Sequence, residues 1–224
     1  NDNVWIAQRQ GRAKNSNDLT QPAILKMMAM GGEGTIIERL KQLHIVPLAI
    51  SYEYDPCDYL KAREYQLRRD LPYWKKTAED DLESMLVGIK GYKGHIFYKC
   101  APCIDEWLDT VDEELPKNKL FDTIAAHIDH EIHSNYKLYP INYVALDMIQ
   151  DTRVYEDYYT VEDYQNFNTY LDGQIEKIDI ENRDDKFLRT CLLTQYAYPT
   201  KNYIAASSES GRFKSLLNRL TFKK

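Results

Sequence analysis

A short apolar run, Ile45-Val46-Pro47-Leu48-Ala49-Ile50, is the feature that most constrains how this chain folds. A run of this length, bounded by polar residues, is typical of a buried strand. Pro47 places that strand at a sheet edge or a bulge, because proline has no N–H to donate. Helical periodicity precedes the run over residues 35–43 and follows it over residues 58–69. This alternation of strand and helix predicts an α/β fold.

The remaining patterns divide the chain into two parts. Strands are predicted at residues 4–7 and 94–100, and helices at residues 22–31, 77–87, 120–134, 142–149, 161–178 and 186–196. We therefore expect residues 1–114 to form a mixed sheet flanked by helices. Because strand patterns fade beyond Leu115, we expect residues 115–224 to form a helical extension that packs on that sheet.

Composition excludes several classes of protein. A chain of 224 residues can bury a sizeable core without disulfides, and its four cysteines are too few and too scattered for a disulfide scaffold, so we expect a reducing compartment. A net charge of −6 argues against binding nucleic acid, which needs clustered cations. No apolar stretch approaches the ~20 residues of a membrane-spanning helix.

A basic loop between the first predicted strand and the first predicted helix has the chemistry of an anion site. Arg9, Arg12 and Lys14 surround Gly11, which permits backbone conformations that other residues resist. Guanidinium groups bind phosphate oxygens in pairs, and an ammonium adds a point charge. A solvated basic loop is the alternative interpretation of these three cations.

Three blocks of sequence resemble glycerol-3-phosphate acyltransferases and their lysophosphatidate-acylating relatives. The segment 8–14, followed by Gln21-Pro22, is similar to the Gly-Arg-Ser-Arg block of that family. Residues 45–53 resemble its apolar-Pro-apolar strand, which ends in a Tyr-Glu pair. Residues 94–104 resemble a later strand and proline. The resemblance covers roughly Val4 to Ile104, in the order found in the family.

The resemblance implies a reaction and a site. The reaction is transfer of a fatty acyl group from acyl-CoA or acyl carrier protein to glycerol 3-phosphate or lysophosphatidate, at the inner face of the cell membrane. Arg12 and Lys14, with Arg9 and Gly11, would bind the acceptor's phosphate, and Pro47 would shape the wall of the site. The family implies no metal and no organic cofactor. Gln10 departs from the pattern, since many relatives have a glutamate there.

The family's catalytic motif, His-x4-Asp, is missing from this sequence. The residues five positions beyond the five histidines are Ala49, Cys100, Ile132, Asn135 and Leu138. In the family the motif precedes the Gly-Arg block, so we expect a truncated acyltransferase that has little or no activity alone. Two alternatives stay open: a natural member that has lost its base, and a non-catalytic module that binds phosphate or lipid head groups.

Two other clusters contain residues that can form metal or redox sites. His127, His130 and His133 share one helix with carboxylates and could bind a metal. Because the isoleucines of that helix form its apolar stripe, we expect His130 and His133 to lie on a solvated face instead. Cys100 and Cys103 have redox spacing, but they follow a strand rather than open a helix, which predicts two ordinary thiols.

The C-terminal segment, residues 211–224, alternates apolar and basic residues at roughly helical spacing. This pattern is compatible with a terminal helix that packs on the body of the protein. It is also compatible with a segment that rests on anionic lipid.

Overall fold

The computed structural model describes residues 3–11 and 14–209, and the segment 211–224 lies outside this range. The described chain is rich in helix and contains a two-stranded sheet. Its elements are α1 (Pro22–Met28), α2 (Ile36–Lys41), β1 (Leu48–Tyr52), α3 (Asp58–Asp70), α4 (Ala78–Lys90), β2 (Ile96–Cys100), α5 (Asp105–Leu108), α6 (Lys117–Ser134), α7 (Pro140–Gln150), a 3₁₀ turn (Glu156–Tyr158), α8 (Val161–Glu176) and α9 (Asp185–Glu209).

Three helices begin with a capping box. Thr35, Thr77 and Thr160 each accept a hydrogen bond from the backbone three residues later, where an acidic side chain bonds back to the threonine N–H. Two donors that a helix start leaves without partners are satisfied in this way. The predicted starts of α2, α4 and α8 are therefore confirmed to within a residue.

The sheet is antiparallel and small. The carbonyl of Pro47 accepts the N–H of Ala101 at 2.8 Å, and the N–H of Glu53 bonds to the carbonyl of His95 at 2.9 Å. Pro47 immediately precedes β1, where its missing N–H costs no ladder bond. The coarse prediction of a fold that mixes helices and strands is confirmed, whereas the specific acyltransferase-like sheet stays a prediction.

The strand predicted at residues 4–7 is wrong. These residues have no regular secondary structure, and Val4 and Trp5 are 78% and 70% exposed. Apolar and β-branched residues favour a strand only where a neighbouring strand supplies hydrogen bonds and a packing surface. Within the described residues no strand pairs with this segment.

The described chain forms two compact units that are interleaved in sequence. Unit 1 consists of the described residues among 1–13, 18–50 and 98–136, and unit 2 of those among 14–17, 51–97 and 137–224. The chain passes from unit 1 to unit 2 within β1 and back within β2. The predicted division of this chain into residues 1–114 and 115–224 stays a prediction.

Each unit has its own apolar core. In unit 1, α1, α2, α5 and α6 bury a cluster that includes Leu25, Leu40, Leu108 and Ile124. In unit 2, α7, α8 and α9 bury a larger cluster around Phe167. The two cores do not share residues.

A buried carboxylate lies at the centre of unit 2. Asp58, at the start of α3, is fully buried and accepts hydrogen bonds from the hydroxyls of Tyr196 at 2.6 Å and Tyr170 at 2.7 Å. The two hydroxyls are 3.1 Å apart, and that of Tyr196 also accepts the N–H of Asp55. Burial raises the pKa of Asp58 from 3.8 to about 6, although the tyrosine hydrogen bonds oppose this.

Replacing Asp58 with asparagine should change how stability depends on pH. Because folding raises this pKa, Asp58 favours the folded state below about pH 4, and this contribution is lost as the pH rises through about 6. The free energy of unfolding of the wild type, relative to Asp58→Asn, should fall by about 3 kcal/mol between pH 3 and pH 7. Urea denaturation at a series of pH values measures this difference.

Asp70→Asn is a control, because the pH dependence of the stability contributed by Asp70 should have the opposite sign to that of Asp58. Asp70 is exposed and its pKa is lowered by hydrogen bonding to Arg69, so the stability it contributes is present above its ordinary pKa and is lost as the pH falls. If the free energy of unfolding of the wild type, relative to Asp58→Asn, does not decrease with rising pH, then folding does not raise the pKa of Asp58.

Candidate functional site

The loop predicted to bind phosphate has a defined backbone at its first half. Gln21 fastens it, because its N–H donates to the carbonyl of Gln8 at 2.8 Å and its side-chain oxygen accepts the N–H of Gln10 at 3.0 Å. Gly11 has a φ of +79°, and a Cβ at this position would have nothing within 4 Å. Glycine is therefore favoured here because of its backbone conformation, and not because a side chain would clash with its neighbours.

Arg9 lies in the same unit and is paired. Its guanidinium donates to the carboxylate of Asp18, and the two side chains are only 28% and 20% exposed. The Arg9 Nε donates a long hydrogen bond of 3.4 Å to the carbonyl of Gln10. The carboxylate both orients the guanidinium and neutralises it, so an anion that binds here shares Arg9 with Asp18.

A buried polar group on α6 supports the segment that carries Asp18. Asp129 accepts hydrogen bonds from the N–H of Thr20 at 2.8 Å and from its hydroxyl at 2.6 Å. His133 donates to the backbone of Asp18, and burial lowers the pKa of its imidazole. The Nε2 atom of His133 is buried without a hydrogen-bond partner.

The prediction that His133 lies on a solvated face is therefore wrong. The residue is 7% exposed, because the segment around Asp18 and Thr20 covers the side of α6 that the isoleucine stripe does not occupy. A helical wheel shows one buried stripe and cannot show a second surface formed by polar contacts from a distant segment.

The other predicted phosphate ligands lie elsewhere or outside the described residues. Lys14 belongs to unit 2, where its ammonium pairs with Glu64, a side chain only 7% exposed. Glu64 also accepts from Arg68 at 2.8 Å. Arg12 lies outside the described residues. Pro47 is buried in unit 1. The assembly of these residues around one phosphate, and the role of Pro47 in its wall, stay predictions.

The helix α4 has its apolar side turned outward. Leu82, Met85, Leu86 and Ile89 follow one another at helical spacing and are 67%, 54%, 50% and 75% exposed. None of the residues of α4 is buried. The sequence predicted a helix here, at residues 77–87, and made no prediction about which of its sides packs on the protein.

The polar side of α4 faces unit 2 instead. Asp80 pairs with Arg63 at 3.2 Å, and the carbonyl of Ser84 lies 3.3 Å from the thiol of Cys57. A Cβ added at Gly88 would lie 3.5 Å from the same sulfur, so the glycine lets this side of the helix approach α3. Among the helices within residues 3–11 and 14–209, none is both long and apolar enough to cross a membrane.

The histidines of α6 do not form a metal site in the described chain. His127 stacks on Trp107 with ring centroids 3.7 Å apart, and His133 points into the contact with Asp18. Ligand atoms from three different side chains lie within 4.8 Å of one another at His44, Cys103 and Asp105 instead. Sequence reasoning missed this group, because its members come from segments that are 60 residues apart and join only in the fold.

The group at His44, Cys103 and Asp105 lies wholly within unit 1. The Nδ1 atom of His44 is 2.6 Å from Oδ2 of Asp105, and the other oxygen of that carboxylate is buried without a hydrogen-bond partner. Burial raises the pKa of the Cys103 thiol, and the Asp105 carboxylate raises it further. Cys100, the other cysteine of the pair, is exposed at the end of β2.

Comparison with known proteins identifies no relative of this chain. No protein-family model matches it, and neither a curated protein nor a solved structure matches it. The resemblance to glycerol-3-phosphate acyltransferases therefore stays a prediction from the sequence blocks.

Replacing Gly11 with alanine should destabilise the loop through backbone strain alone. A left-handed conformation costs an L-residue about 1 kcal/mol, so the free energy of unfolding should fall by about that amount. Gly173→Ala is the matched control, because a Cβ there also has nothing within 4 Å but the residue lies within α8. Alanine should stabilise the helix by about 0.5–1 kcal/mol. Equal effects at both positions, measured by urea denaturation, would contradict this account of Gly11.

Proposed function

We propose that this chain is the acceptor-binding part of an acyltransferase of phospholipid biosynthesis. The enzyme transfers a fatty acyl group from acyl-CoA or acyl carrier protein to the hydroxyl of glycerol 3-phosphate or lysophosphatidate, at the inner face of the cell membrane. The observation that carries the proposal is the basic loop of residues 9–14, with Gly11 in a left-handed conformation between the cations.

The pairing of Arg9 and of Lys14, each within its own unit, limits how strongly either cation would bind a phosphate. Arg9 and Lys14 each contact a carboxylate, Asp18 and Glu64, that is mostly buried. Such pairs hold long side chains in one arrangement, which reduces the entropy lost when an anion binds. They also cancel charge, so a phosphate competes with these carboxylates for Arg9 and Lys14.

The chemical step requires a base that this sequence does not supply as a His-x4-Asp motif. In acyl transfer to a hydroxyl, a general base removes the hydroxyl proton while the oxygen attacks the thioester carbon, and the thiol of the donor leaves. The residues of this chain would hold the acceptor's phosphate and so fix the position of its hydroxyl. Binding is therefore the activity that tests this chain directly.

Phosphate binding can be measured on the whole chain with glycerol 3-phosphate and with short-chain lysophosphatidate. Arg12→Ala should weaken binding about tenfold or more, because a charge-assisted hydrogen bond to phosphate contributes about 1.5–3 kcal/mol. Lys14→Ala should have a smaller effect. Lys186→Ala, an exposed cation in the first turn of α9, serves as the control and should leave binding unchanged.

Two outcomes separate the enzyme from a simple binding module. Turnover by the full natural protein, lost in Arg12→Ala, would support the acyltransferase. Phosphate binding by this chain, without turnover by the full natural protein, would favour a non-catalytic module that binds phosphate or lipid head groups. No binding of either acceptor would overturn both.

The outward apolar face of α4 supports the membrane location. A soluble helix normally buries such a face, whereas a helix that lies in a bilayer interface turns it toward the acyl chains. Two exposed lysines, Lys75 shortly before α4 and Lys90 at its last residue, can contact anionic head groups, whereas Lys76 is paired with Asp81 at 3.0 Å. An enzyme whose acceptor is a lipid needs such a surface, so we assign the face to the bilayer.

Binding to vesicles tests this assignment. Leu82→Gln with Ile89→Gln should weaken binding to vesicles of phosphatidylglycerol and phosphatidylethanolamine, measured by flotation, by about thirtyfold or more, because two large side chains lose about 2–4 kcal/mol of apolar burial. Val161→Gln is the matched control, since Val161 is 74% exposed at the start of α8. Unchanged flotation of the double variant would overturn the assignment to the bilayer.

A further inference from the structure

The cluster of His44, Cys103 and Asp105 has the composition of a transition-metal site. It offers one imidazole nitrogen, one sulfur and one carboxylate oxygen, all within 4.8 Å of one another. Nitrogen, sulfur and oxygen are the ligand types that zinc takes in proteins, at about 2.0–2.3 Å. Ligand atoms in a tetrahedral site with such bonds lie about 3–4 Å apart, so small side-chain movements bring these three into place.

We propose that His44, Cys103 and Asp105 bind a zinc ion, with a fourth position open to water or to a substrate group. A thiolate, a carboxylate and a neutral imidazole together neutralise the charge of Zn²⁺. The Oδ1 atom of Asp105, buried without a hydrogen-bond partner, gains a coordination partner or a bond to the bound water.

The structure around the cluster accommodates a cation. The ammonium of Lys41 is attracted to Asp105 but is paired with Asp109. Its charge is thereby compensated within the same unit.

The exposure of the ligand side chains and their positions along the backbone also favour a zinc site. The side chain of His44 is 77% exposed and that of Asp105 is 22% exposed, so an ion can enter from solvent. His44 follows α2 in a left-handed backbone conformation, with a φ of 48°. Asp105 opens α5 and Cys103 lies just before it in the chain, separated only by Ile104, so two of the ligands come from one short strand-to-helix connection.

Titration of the metal-free whole chain with zinc tests the proposal. In a phosphine reductant, chelator competition should show one zinc per chain. His44→Ala and Cys103→Ser should each weaken binding at least about tenfold, because even the loss of an outer-shell partner commonly costs that much. Cobalt substituted for zinc should give a thiolate-to-cobalt charge-transfer absorption that is absent in Cys103→Ser.

Two control variants make the test specific. Cys100→Ser removes the neighbouring thiol that lies outside the cluster. His95→Ala removes a histidine whose Nδ1 is 2.7 Å from Glu53, which matches the His44–Asp105 pair but lacks a sulfur ligand. Both should bind zinc as the wild type does.

Several results would overturn the site. These are no stoichiometric zinc, binding that survives His44→Ala, or binding lost equally in Cys100→Ser, which would indicate chelation by the two cysteines alone. Because His44 is largely exposed, His44→Ala should keep the fold and remains informative even if Cys103→Ser does not fold. The zinc site does not depend on the proposed acyl transfer, so either proposal can fail without the other.

Discussion

The buried carboxylate of Asp58 is the constraint on which the organisation of unit 2 depends. It joins the start of α3 to α8 through Tyr170 and to α9 through Tyr196. A charge with this burial is costly unless donors surround it, and each helix here contributes one donor. The three helices therefore cannot shift independently, because any shift would leave a buried carboxylate or a buried hydroxyl without a partner.

In unit 1, polar side chains of one helix also hold a distant segment of the chain in place through hydrogen bonds. Asp129 of α6 binds both the N–H and the hydroxyl of Thr20, while His133 binds the backbone of Asp18. These contacts fasten the segment that follows the basic loop. Asp18 in turn orients Arg9, so the position of a candidate phosphate ligand depends on polar groups in the middle of a helix far along the chain.

Local rules predicted most of the helices and little of the site. The capping boxes at Thr35, Thr77 and Thr160 depend only on residues three positions apart, and helix starts of this kind can be found from sequence. The strand expected at residues 4–7 failed because a strand requires a partner that no local pattern supplies. The burial of His133 was missed for a similar reason, since residues more than a hundred positions earlier cover it.

The outward apolar face of α4 shows what the periodicity of a sequence does not determine. Periodicity correctly identifies an amphipathic helix, but it does not say which side faces the protein. That choice is made here by Asp80, Ser84 and Gly88, which provide an ion pair, a hydrogen-bond acceptor and close approach on the polar side. Once these contacts form, the apolar residues must face outward, where burial against a further apolar phase would be favourable. The bilayer is the phase that the proposed lipid acceptor already requires.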